Sequence, residues 1–143
     1  MQSSMTFLAT LCCAIFSGAA IYINAVEHPA RMSCGIKVAL SEWAPSYQRA
    51  TIMQASLAVL GFLFSLLAWW LGSNMTILIA GILLLSVAPF TLIVIMPTNR
   101  RLLVLDSEKD ADEVEMLLKR WNRLHMVRSV LGTLSLVVFL VAA

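Results

Sequence analysis

Three stretches of the chain carry no charged side chain: residues 1–26, 50–99 and 129–143. Two polar segments separate them, Glu27 to Arg49 and Arg100 to Arg128, and these hold every charge and both histidines. A helix crosses a hydrocarbon core of about 30 Å with about 20 apolar residues. The first stretch therefore predicts a span over about 7–26. It lacks the basic start of a secretory signal, so it reads as a retained helix. Residues 50–99 are too long for one span and too apolar for a loop. The turn signal Gly72-Ser73-Asn74 divides them into spans of about 50–71 and 75–96 joined by a tight hairpin. Pro97 is expected to close the third helix, because it has no N–H and its ring clashes with the preceding turn. Pro89, inside that helix, is expected to kink it.

The last stretch has 15 uncharged residues, about 22 Å of helix. To cross, it must recruit residues from about 124 onward, which draws His125 and Arg128 towards the bilayer. Upstream, Ser107-Glu108-Lys109-Asp110 fits a capping box with acidic residues in the first turn. One long helix from about 108 to 141 is expected, with its first half outside the lipid. Val114, Leu117, Leu118, Trp121, His125 and Arg128 share one face of it at three- and four-residue spacing.

Composition agrees with this pattern. Of 143 residues, 60% are hydrophobic and 13% charged, against about 25% charged in an average soluble domain. A soluble enzyme is excluded, and a net charge of +2 leaves no basic footprint for nucleic acid. The expected fold is all-α: an integral membrane four-helix bundle in a single domain over residues 1–143, with cytoplasmic connections at about 27–49 and 97–123. All ten basic residues fall in or beside those connections, so the positive-inside rule places them in the cytoplasm and both termini outside it. A bacterial inner membrane is the expected location and the lipid bilayer the first partner. Ala14 with Gly18, and Gly61 with Ser65, have the small-xxx-small spacing that lets helices approach, within a bundle or in a homodimer.

The candidate chemistry lies at the polar ends of the helices. Cys12, Cys13 and Cys34 form no CxxC pair and read as packing residues. There is no phosphate loop, no HExxH and no GxSxG, so ATP-driven and serine-nucleophile mechanisms have no residues to run on. Glu27-His28-Pro29-Ala30-Arg31 closes the first span. Its ionisable groups either anchor the interface or place His28 at the bundle mouth as base, acid or ligand. Trp43, Tyr47 and Arg49 precede the second span, where Pro45 is expected to start the helix and the aromatics suit an interfacial belt. Gln54 falls about a turn into that span and should face the interior; Asn24, Thr91 and Asn99 are polar groups near the same end. Trp121, His125 and Arg128 form an i, i+4, i+7 stripe where the last helix enters lipid. Arg128 either snorkels or is buried with a partner: Glu27, Glu42 or an oxygen of a ligand. Such a set around a greasy cavity suits an apolar or aromatic ligand with a few polar handles.

Four ordered motifs resemble the anthrone oxygenase-like (DUF1772) family. They are Glu27 to Arg31, the Trp43/Pro45/Tyr47/Arg49-Ala50 pattern, Pro97-Thr98-Asn99, and the Trp121/His125/Arg128 stripe. The resemblance runs over nearly the whole chain and implies a small four-span helical protein, some of whose fungal relatives oxidise anthrones to anthraquinones without an obvious classical cofactor. It implies a site at His28, Pro29, Arg31, Trp43, Tyr47, Arg49, Asn99, Trp121, His125 and Arg128.

Three functions follow as alternatives. The first is a membrane oxygenase or oxidase for a lipophilic phenol, anthrone or quinol. In it His28 or His125 is the base, Arg128 holds an enolate, and Arg31, Trp43, Tyr47, Arg49, Gln54, Asn99 and Trp121 bind the molecule. The second is a haem or transition-metal protein ligated by His28 and His125, with Glu27 as a further metal ligand. The third is a non-catalytic membrane protein that binds or assembles a partner through its polar face.

Overall fold

The computed structural model describes residues 1–142. It is all-helical, with no strand among those residues. Four helical rods are long and apolar enough to cross a membrane: α1 (Gln2–Ser33), α2 (Ile36–Trp70), α3 (Met75–Leu102) and α4 (Ala111–Ala142). The chain is an integral membrane protein. Each rod packs mainly on the next in sequence, and α4 closes the ring against α1, with little contact across the diagonals.

The rods outrun the predicted spans. At 35 residues, α2 is about 52 Å long, well beyond the hydrocarbon core. Most of the expected first connection is helical, and the link between α1 and α2 shrinks to Cys34 and Gly35. Gly35 takes a φ of +88° there, which a residue without Cβ adopts at little cost. Pro45 lies inside α2 rather than at its start. Pro97 does not end α3, which continues to Leu102.

Both α1 and α3 pass a proline by the same device. A single π turn, Ile23–Glu27, precedes Pro29 and is closed by the His28 N–H on the Ile23 carbonyl. Another, Thr91–Ile95, precedes Pro97 and is closed by the Met96 N–H on the Thr91 carbonyl. The extra residue moves the preceding carbonyls away from the ring that would otherwise meet them, so the rod shifts register instead of stopping. A third interruption in α3 falls at Ser86, three residues before Pro89.

The hairpin lies where expected: Gly72 has a φ of +102°, and Asn74 caps the third rod through the Ile77 N–H. The start of α4 differs from the capping box. Asp106 accepts from the Glu108 N–H at 2.8 Å, Asp110 accepts from the Asp106 N–H at 3.1 Å, and the helix begins at Ala111.

Small residues bring the rods together. A Cβ on Gly81 would lie 1.8 Å from Ser65 Oγ, and one on Gly132 would lie 2.9 Å from the Phe16 ring. Gly61 and Ser65 are buried, whereas Gly18 is exposed and a Cβ there meets nothing within 4 Å. The buried apolar residues form two clusters. One surrounds Phe16, Leu84 and Phe139 in the charge-free half; the other surrounds Trp43, Leu118 and Trp121 at the polar end. Gln54, His125 and Arg128 lie between the two clusters in the chain order of their rods, and Asn24 follows Ile23 at the edge of the polar-end cluster.

Candidate functional site

His125, Arg128 and Ser129 come from one side of α4, Gln54 from α2, and Asn24, His28 and Arg31 from α1; all but the half-buried Asn24 are buried. On α4 the inward stripe runs through Trp121, His125 and Arg128, continuing the apolar positions Val114, Leu117 and Leu118. On α1 the π turn sets the register, so that His28 and Arg31 face inward after Ala20 and Ile23.

Arg31 and Arg128 are compensated very differently. Arg31 pairs with Glu27 and, through Nε at 2.6 Å, with Glu42; Ser46 donates to Glu27 at 2.5 Å. These contacts tie the end of α1 to α2. Arg128 is 7% exposed, and its Nη2 donates at 2.6 Å to the neutral Gln54 Oε1. Among the described residues it has no carboxylate partner, and its Nε and the Gln54 Nε2 are buried without one.. Neither expected partner of Arg128 pairs with it, because Glu27 and Glu42 are both taken by Arg31. The Arg128 guanidinium also lies 5.9 Å from the centre of the Phe16 ring.

The aromatic residues form one stack. Trp121 packs against His125 at 4.9 Å between ring centres and against His28 at 5.9 Å. It meets Trp43 edge-on at 6.0 Å, and Trp43 stacks on Tyr47 at 5.1 Å. A cavity opens beside this stack. Glu27, Arg31, Tyr47, Thr51, Gln54, Trp121, His125 and Arg128 line it, and it has about 10 Å³ of open interior, room for about one water molecule.

Eight of the residues picked out from sequence thus converge: Glu27, Arg31, Tyr47, Gln54, Trp121, His125 and Arg128 on the cavity wall, with Trp43 behind them. His28 is buried behind Trp121, with Nδ1 unpartnered, and does not line the cavity. Asn99 is fully buried, with neither side-chain polar atom partnered, and is also off the cavity. Arg49 is exposed and borders a separate shallow depression with Glu42 and Pro45. Among the described residues no group of three or more His, Cys, Asp or Glu side chains is placed to hold a metal ion.

Sequence reasoning missed Ser46, Thr51, Asn122 and Ser129. Small polar residues of this kind give no signal until their neighbours on other rods are known. Chemically, the site combines an imidazole, a buried cation without a counter-charge, amide donors and an aromatic wall.

Residues 43–138 match the model of a family described as anthrone oxygenase. Over 62 residues the chain is 40% identical to the anthrone oxygenase tpcL of Aspergillus fumigatus, a match covering 41% of this chain and 38% of that protein. The chain thus spans well under half the length of that relative. The family range holds Trp43, Tyr47, Gln54, Asn99, Trp121, His125 and Arg128, and leaves out α1 with Asn24, Glu27, His28 and Arg31. No solved structure matches the chain.

Proposed function

The chain belongs to the anthrone oxygenase family, and from that premise we propose that it is a membrane-embedded oxygenase acting on a lipophilic anthrone, phenol or quinol at the polar end of the bundle. The observation that carries this reading is Arg128. A buried charge costs several kcal/mol unless it is paired, and this one has a neutral amide and the Phe16 ring but no carboxylate among the described residues. A ligand oxygen that gains negative charge during the reaction would complete its surroundings, as fixed cations do for developing oxyanions.

With an anthrone the chemistry balances using these residues and O₂. His125 takes a proton from the methylene between the aryl rings. The C–H electron pair moves into the ring system, and the carbonyl oxygen becomes an enolate held by Arg128. The electron-rich carbon then reduces O₂. It keeps one oxygen atom as the second carbonyl, and the other leaves as water, so four electrons pass from the methylene carbon to O₂. His125 is the base rather than His28, because His125 lines the cavity and His28 backs Trp121. A ligand of this size needs a pocket of about 300 Å³ or more, so binding parts the side chains that now close the α1–α2 edge, Arg31 and Tyr47 among them.

Ten basic residues at this end and none at the other support a cytoplasmic location for the site, with both termini across the membrane. The test is to incubate purified full-length protein in lipid nanodiscs with an anthrone, following quinone absorbance and O₂ uptake. Quinone formation well above protein-free autoxidation, with one O₂ consumed per quinone, is expected. A rate equal to autoxidation overturns the proposal.

A further inference from the structure

We infer that Asn24 is a positioning residue that holds the His125 imidazole in the tautomer protonated at Nδ1, leaving Nε2 bare as the base. The inference rests on the reading of His125 as the proton acceptor. Nothing in the family match assigns Asn24 a role, since it lies upstream of residues 43–138.

The hydrogen bonds dictate the assignment. Asn24 Nδ2 lies 3.0 Å from the Asn122 backbone carbonyl and 2.6 Å from Asn122 Oδ1. A backbone carbonyl only accepts, so the amide group facing it must be the NH₂. That orients Asn24 Oδ1 the other way, where Ser129 Oγ donates to it at 2.6 Å and His125 Nδ1 lies at 2.9 Å. Oδ1 cannot donate, so His125 Nδ1 must carry the proton. The remaining nitrogen, Nε2, has no hydrogen-bond partner among the described residues. An imidazole whose N–H is held at one nitrogen by a fixed acceptor presents the other as a base.

Two structural features hold this arrangement. Asn122, His125 and Ser129 form one stripe of α4 at i, i+3 and i+7, so one amide engages three residues of that rod. Asn24 itself sits in the π turn Ile23–Glu27, a device often found at functional sites. The charged and titratable groups sharing the cavity with His125 are Glu27 and Arg31 on α1, Tyr47 on α2 and Arg128 on α4; α3 contributes none. His28 packs against the same Trp121 ring at 5.9 Å between ring centres.

The test is two-bond nitrogen–proton NMR on the full-length protein, labelled with ¹⁵N-histidine, in nanodiscs near neutral pH. The wild type is expected to show His125 protonated at Nδ1; protonation at Nε2 overturns the inference outright. Asn24→Leu removes the acceptor at similar volume. It is expected to shift His125 to the Nε2–H form and to lower kcat for anthrone oxidation by more than tenfold, with KM little changed. Asn24→Asp keeps the acceptor, so the Nδ1–H form and most of kcat should return. Its carboxylate favours imidazolium, so the acidic limb of the rate profile should move to higher pH. An unchanged tautomer in Asn24→Leu, or an unmoved pH limb in Asn24→Asp, overturns the inference. If Asn24→Leu fails to fold, the wild-type spectrum and Asn24→Asp still decide. If the tautomers behave as stated while the wild type oxidises no anthrone, the positioning role stands and the oxygenase reading fails.

Discussion

Replacing Arg128 with Met separates a catalytic cation from a structural one, because the two roles predict opposite effects on stability. Methionine keeps much of the arginine's length, and its sulfur can rest on the Phe16 ring that the guanidinium now faces at 5.9 Å. The substitution orphans Gln54 Oε1, which now accepts at 2.6 Å; an unsatisfied buried acceptor costs about 1–3 kcal/mol. Against this, it removes a buried ion that has no carboxylate partner, and the desolvation of such an ion costs several kcal/mol. Stability should therefore hold or rise. Activity should fall about 10²- to 10³-fold in kcat, the usual loss of one oxyanion donor, equivalent to about 2.7–4 kcal/mol. Quinone formation from an anthrone and thermal unfolding, both in nanodiscs, measure the two quantities on one sample. Adding Gln54→Leu should recover the orphaned acceptor's cost without restoring rate. A clear fall in unfolding temperature together with an unchanged rate per folded molecule would refute the assignment of Arg128 to a developing oxyanion.

Three further outcomes follow from the same geometry. His125→Ala should lower kcat by about 10²- to 10⁴-fold, the usual range for a general base, whereas His28→Ala, off the cavity wall, should keep most of the rate; the reverse order would move the base to His28. Gly81→Ala should lower stability by about 1–3 kcal/mol through overpacking, since the new Cβ lies 1.8 Å from Ser65 Oγ; the double change with Ser65→Gly should recover much of it in a thermal melt. Anthrone turnover should survive treatment with a strong chelator, because proton abstraction and enolate stabilisation use His125 and Arg128 alone; chelator-sensitive turnover restored by one added metal would refute that route.

Much was legible in the sequence because membrane physics leaves strong marks on it. Every charge lies outside three apolar stretches; with the turn that divides the middle one, that distribution determines the number of rods and the end at which polar chemistry gathers. The Gly72-Ser73-Asn74 turn was readable for a local reason: a positive φ and a side-chain cap need those residue types. The Trp121, His125 and Arg128 stripe was readable because its spacing follows from helix geometry. Rod length was not. Pro29, Pro45 and Pro97 look like boundaries, yet a proline ends a helix only if the chain cannot absorb the lost bond. At Pro29 and Pro97 a π turn absorbs it, while the inward face of each rod stays packed.

Tertiary structure alone decided who pairs with whom. In the sequence Glu27 and Glu42 were candidate partners for Arg128, and only the juxtaposition of α1 and α2 gives both to Arg31 and leaves Arg128 to Gln54. Arg49 and Asn99 belong to the same motifs as the cavity residues, but rotation of their rods turns one outward and buries the other elsewhere. Asn24 gains its role from three residues about a hundred positions away in the chain. Hydropathy and helical period are properties of single segments and survive in the sequence. The compensation of a buried charge and the tautomer of an imidazole depend on atoms from different rods, and those meet only when the bundle closes.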